Sequence, residues 1–167
     1  MAAKSQVIPL PALTLGLAGL IPFFICALIA CVPSLLGAAL QGNAAELYNP
    51  DFIRQKAVLA LGTYGAVILS FLGGIRWGNI VNHKAQIHRW GPLTLSVVPS
   101  LIAWPALLLP AVWMLSLLAA GFVLQYAADI EAVRQKILPA WFGRLRTLLT
   151  SGATIALLTG LLAAALN

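Results

Sequence analysis

One arginine stands at the end of an otherwise apolar run. Arg76 lies in Ala60-Leu-Gly-Thr-Tyr-Gly-Ala-Val-Ile-Leu-Ser-Phe-Leu-Gly-Gly-Ile-Arg-Trp-Gly78, with Trp77 beside it. Arginine at the centre of a membrane helix costs about 2.5–3.5 kcal/mol on insertion scales, so it needs a carboxylate, a carbonyl or an anionic ligand. Near a span end the long stem lets the guanidinium snorkel to the interface at lower cost. Snorkelling or a lipid-phosphate contact is therefore the first expectation for Arg76, and a charge pair with Asp129 the second. Arg144 and Arg146 precede the last apolar run. They read as topogenic cations, or as partners of anionic head groups at roughly 1 kcal/mol per cation. With Trp141 they complete a candidate lipid- or ligand-binding set: Arg76, Trp77, Trp141, Arg144 and Arg146.

The remaining reactive side chains do not assemble a catalytic pattern. His83 and His88 are five apart in a polar loop, without the three- or four-residue spacing of ligands on one helix. Cys26 and Cys31 sit in the first apolar run, where thiols behave as small hydrophobes. The carboxylates fall at or outside the expected span ends, not mid-span as a proton relay requires. Gly73-Gly74 lies inside a span and not after a strand, so it is no phosphate loop. Tyr64 and Ser70 are expected to bond a helix carbonyl, one turn back or on a neighbour. Neither a metal, a cofactor nor a catalytic residue is expected, and the chain reads as a non-enzyme.

The elements that carry these residues follow from composition. Of 167 residues, 61% are hydrophobic and 8% charged, where a soluble domain carries about 25% charged residues. Mean hydropathy is +0.96. Lipid must be the solvent. The net charge of +6 comes from 10 Lys and Arg against 4 Asp and Glu. Those cations sit in short segments between apolar runs, a positive-inside pattern and not a nucleic-acid footprint.

The apolar runs predict an all-α polytopic membrane protein, a single integral membrane domain over residues 1–167. About five spans are expected, near 10–40, 57–80, 93–109, 111–128 and 147–165. Lys4 before the first run resembles a signal peptide, but that run is longer than a signal core and is read as an uncleaved helix. Pro22 and Pro33 should kink or break it. Asn49-Pro50-Asp51 reads as a turn and helix start, with Asp51 the candidate cap. Trp104 and Trp113 flank Pro110, where a helical hairpin should turn. Ile130, Val133 and Ile137 predict an amphipathic interfacial turn after span four. Lys4, Lys84, Arg89, Arg134, Lys136, Arg144 and Arg146 would share one side and Arg54 and Lys56 the other. This predicts a cytoplasmic N-terminus and a C-terminus on the opposite side.

Small residues recur along two spans. Gly62, Ala66, Ser70, Gly74 and Gly78 form one row, and Gly152, Ala156, Gly160 and Ala164 another. Each step of four turns a helix about 400°, so such a row drifts about 40° per step. Rows of this kind let backbones approach closely, and the two spans are expected to pack on each other or on a partner subunit.

The stretch from Tyr64 to Gly78, with Ser96-Val-Val-Pro-Ser-Leu-Ile-Ala-Trp104 and Leu138-Pro-Ala-Trp-Phe-Gly-Arg-Leu-Arg-Thr-Leu-Leu-Thr150, resembles a bacterial and mitochondrial family of unknown function related to human transmembrane protein 69. That family often has His where this chain has Arg76. The resemblance implies a multi-span inner-membrane protein and carries no activity with it. The expected role is an accessory or assembly subunit of a larger inner-membrane complex, with energy-converting respiratory or photosynthetic complexes as hosts. Its partners would be membrane lipids and other membrane-protein subunits. The alternatives are a small transporter or channel, and a lipid- or quinone-binding protein. The expected location is the bacterial inner membrane, or the mitochondrial inner membrane in a eukaryote.

Overall fold

The computed structural model describes residues 7–35, 49–81 and 90–166. Among these the chain is helical, with α1 (Leu10–Ala18), α2 (Ile21–Cys31), α3 (Pro50–Val81), α4 (Trp90–Ala106), α5 (Ala111–Arg134) and α6 (Ala140–Ala165). Four segments are long and apolar enough to cross a bilayer: Leu10–Cys31, α3, α5 and α6. The chain is an all-α polytopic membrane protein. The third expected span is a helix of 17 residues that contains Pro99 and Pro105. At 1.5 Å per residue it is about 25 Å long, at the lower limit for a crossing.

Prolines punctuate the first span as their chemistry requires. Pro22 cannot donate to a carbonyl one turn back, and α1 gives way to α2 at Gly19-Leu20. The Gly19 carbonyl at this break accepts the Tyr64 hydroxyl of α3 at 2.9 Å, so a neighbouring helix satisfies it, as lipid demands. α2 stops at Cys31, two residues before Pro33. The expected extension of this span to residue 40 lies partly outside the described residues.

α3 begins differently from expectation. The Asn49 side chain accepts the Asp51 and Phe52 amides at 3.0 and 3.1 Å, so Asn49 is the cap, with Pro50 in the first turn. Asp51 instead pairs with Arg54 at 2.8 Å. α3 has 32 residues and is about 48 Å long, longer than the roughly 30 Å hydrocarbon core. Its charged first turn can therefore stand in the interface.

The centre is filled by the largest buried side chains: Phe23 of α2, Leu61 and Leu69 of α3, Leu115, Leu118 and Phe122 of α5, and Leu157 of α6. Phe23 meets Tyr64 and Phe122 edge-on, with ring centroids 5.0 and 5.8 Å apart. α4 packs outside this group, on α3 and α5. Two clefts mark the ends of the bundle. One joins Arg54 to Leu109, Ala111 and Ala163, and the other joins Arg76 to Pro92 and Glu131. α1–α2, α4 and α6 therefore run one way and α3 and α5 the other, placing Leu10 and Ala165 at opposite ends.

The small-residue rows behave unequally. On α6, a Cβ at Gly152 would meet Leu20, and one at Gly160 would run into Leu61 of α3. Ala156 is buried and Ala164 half-buried, so this row lies inside the chain, against Leu20 at Gly152 and against α3 only at Gly160. On α3, Gly62 and Ala66 are buried and Ser70 is half-buried, but Gly74 and Gly78 are exposed, and a Cβ at either would meet nothing within 4 Å. Over four steps the row rotates about 160° around the helix, which carries its far end off the interface. The true contact is Gly73, where a Cβ would strike the Ser96 carbonyl of α4.

Candidate functional site

The strongest polar feature is at the α5–α6 hairpin. The α5 helix continues past its expected end to Arg134, absorbing the predicted interfacial turn. It stops in a Schellman closure: the Ile137 amide donates to the Ala132 carbonyl at 2.9 Å and the Lys136 amide to Val133 at 3.0 Å. Lys136 holds the left-handed conformation, φ 58°, a position that glycine adopts most cheaply. Pro139 then starts α6 at Ala140, seven residues before the expected span. That earlier start puts Gly143, Arg146, Thr150 and Ala153 on the buried face and leaves Arg144, about 200° away from Arg146, exposed.

The result is a buried ion pair between the two helices. Arg146 Nε donates to Asp129 Oδ2 at 2.8 Å, with both side chains about 5% exposed. Gln125, one turn earlier on α5, donates to Asp129 Oδ1 at 3.0 Å. The carboxylate thus has a partner on each oxygen, the condition under which a charge pair is tolerable in low dielectric. This corrects the expected Arg76–Asp129 pair. The Arg76 guanidinium donates instead to the Ala128 carbonyl at 2.7 Å, and its charge acts on Asp129 from that side without contact.

The candidate lipid- or ligand-binding set is dispersed. Arg76 is half-buried and Trp77 about half exposed. Trp141 is half-buried, edge-on to Phe142. Arg144 is exposed, whereas Arg146 is enclosed and committed to Asp129, so it cannot serve as a head-group ligand. Beside Arg76 a cleft of about 290 Å³ is lined by Asn79, Pro92, Glu131 and Gln135. At the other end a cleft of about 600 Å³ has Asp51, Arg54 and Gln55 at one wall and Val58, Leu109 and Met114 at another. There Arg54 Nε also donates to the Ala30 carbonyl at 3.3 Å, closing the end of α2.

Of the thiols, Cys26 is half-buried and Cys31 exposed, with its sulfur 3.9 Å from the Thr159 carbonyl. His83 and His88 lie outside the described residues. Sequence reasoning missed Gln125 and the Arg146–Asp129 pairing. The signal was the pair of opposite charges flanking a Gly-free turn that ends in Pro139, a hairpin that must bring both into one plane.

Residues 8–162 match the family described as a protein of unknown function, DUF3429. The chain belongs to this family. It is 37% identical over 159 residues to Transmembrane protein 69 of Xenopus tropicalis, covering 92% of this chain and 54% of the relative. It is 31% identical over 155 residues to Transmembrane protein 69 of Mus musculus, covering 92% and 56%. The chain therefore spans about half the length of these relatives. No solved structure matches it. The family resemblance expected from Tyr64–Gly78 is borne out, as is an integral membrane protein.

Proposed function

We propose that the protein is a non-enzymatic accessory or assembly subunit of a larger inner-membrane complex, bound through the outward face of α3. The observation that carries this reading is Gly74. It is exposed, with open space at its Cβ, in line with exposed Val67 and Phe71. Lipid-facing positions have no need of glycine, whereas a small residue there lets a second helix backbone approach closely. The inward part of the row already packs within the chain. A respiratory or photosynthetic energy-converting complex is the first host to test. The basic end of the bundle, with Arg134, Lys136 and Arg144, is read as cytoplasmic, or as matrix-facing in a mitochondrion.

A photo-crosslinking residue at Phe71, introduced in the native membrane, tests this. The expected result is one protein adduct of defined mass, absent from the same probe at Leu162 and lost with Gly74→Ile. Lipid adducts alone at both positions would contradict it.

The channel alternative is opposed by the filled centre, where Leu61, Leu115, Leu118 and Leu157 are fully buried. Lipid binding keeps one support, the cleft beside Arg76. Retained anionic phospholipid that disappears in Arg76→Ala, read by native mass spectrometry, would favour it.

A further inference from the structure

We infer that Arg146, Thr150 and Thr154 form an internal water site, a blind polar inlet reaching from the hairpin to the middle of α6. Three buried atoms carry the inference. Arg146 Nη2, Thr150 Oγ1 and Thr154 Oγ1 have no hydrogen-bond partner within the protein. Arg146 and Thr150 are 4% and 6% exposed. The three residues are spaced four apart, so successive turns of α6 bring them onto one side of the helix.

Other hydroxyls of the described helices close onto their own backbone. Thr147, Thr159 and Ser116 each close onto the carbonyl four residues back, at 3.0, 2.9 and 2.7 Å. Thr150 and Thr154 do not. Unsatisfied buried polar groups are costly, and most are paired with protein or ordered water.

The chemistry of the three groups selects the occupant. A guanidinium nitrogen only donates, while a hydroxyl donates and accepts. The occupant must accept from Arg146 and exchange hydrogen bonds with threonine. It needs no charge of its own, because Arg146 is already paired with Asp129. It is small, because all three atoms are enclosed within the protein and open onto neither the 290 Å³ nor the 600 Å³ cleft. Water meets all three requirements. Thr154 is eight residues beyond Arg146, about 12 Å further along the helix. Beyond it the apolar core begins, with Leu157, Leu61 and Leu115 fully buried. The water would hydrate the face of the guanidinium that Asp129 does not reach, keeping a charged pair tolerable inside the bundle.

The test is an experimental structure of the full chain, in lipid, at a resolution that shows waters, together with Thr150→Val. The expected result is a density peak within hydrogen-bond distance of both Arg146 Nη2 and Thr150 Oγ1, lost in the variant. The apparent melting temperature should fall by about 2–4 °C or more. A dry site, with Thr150 and Thr154 bonded to the carbonyls of Arg146 and Thr150, would overturn the inference. So would an anomalous peak after bromide soaking, which would make the occupant an anion. An unchanged melting temperature for Thr150→Val would weigh the same way, because the removed hydroxyl would have had no water to hold.

Discussion

The Asp129–Arg146 pair gives the sharpest quantitative expectation. Both side chains are about 5% exposed and their contact is 2.8 Å. Removing one member leaves the other charged, buried and unpaired, which costs about 3–5 kcal/mol in comparable sites. At about 2–4 °C per kcal/mol for a chain of this size, Asp129→Asn or Arg146→Met should lower the melting temperature by roughly 6–20 °C. Removing both charges, as Asp129→Asn with Arg146→Met, should recover most of that loss, because no unpaired charge then stays buried. The assay is thermal unfolding in detergent, followed by monodispersity on gel filtration for the four members of the cycle. Arg76→Met serves as the comparison, since its guanidinium meets a carbonyl and not the carboxylate. If Asp129→Asn is as stable as the parent, or if the double variant is only the sum of the singles, the pair does not hold α5 to α6.

Other expectations follow from single contacts. Gly73→Ala should destabilise by about 1–3 kcal/mol, because its methyl meets the Ser96 backbone and not a flexible side-chain end; Gly74→Ala should be neutral or stabilising by up to about 1 kcal/mol, and thermal unfolding of the two separates them. Lys136→Gly should stabilise by about 1 kcal/mol, since it relieves the left-handed backbone at φ 58°, measured in the same way. Tyr64→Phe should cost about 0.5–1.5 kcal/mol through the lost bond to Gly19, with faster amide exchange around residues 19–20 as the local readout.

Much of the architecture was legible because proline and hydropathy act locally. The break at Gly19-Leu20 follows from Pro22, the end of α2 from Pro33, and the hairpin before α5 from Pro110, which caps that helix. The glycine row on α6 packs along its length because neighbours lie on more than one side of that helix, Leu20 at Gly152 and Leu61 at Gly160. What was hidden depends on helical phase. The α3 row was counted in fours, and the accumulated rotation turns Gly74 outward while Gly73, one residue away, takes the close contact. The partner of Asp129 was hidden for the same reason. Arg76 and Arg146 are both cations at the basic end, and only the start of α6 at Ala140 decides that Arg146 faces inward. The expected Asp51 cap failed because proline in the first turn places the cap immediately before it, at Asn49.

The accessory-subunit role requires the outward face of α3 to be occupied in the native membrane. The direct measurement is extraction of the protein, at its native level, in mild detergent, followed by mass determination of what travels with it. A stoichiometric membrane-protein partner, lost when Gly74 is replaced by isoleucine while the chain itself stays folded, is the predicted result. Recovery of the parent chain only as a free monomer, with no partner, would contradict it.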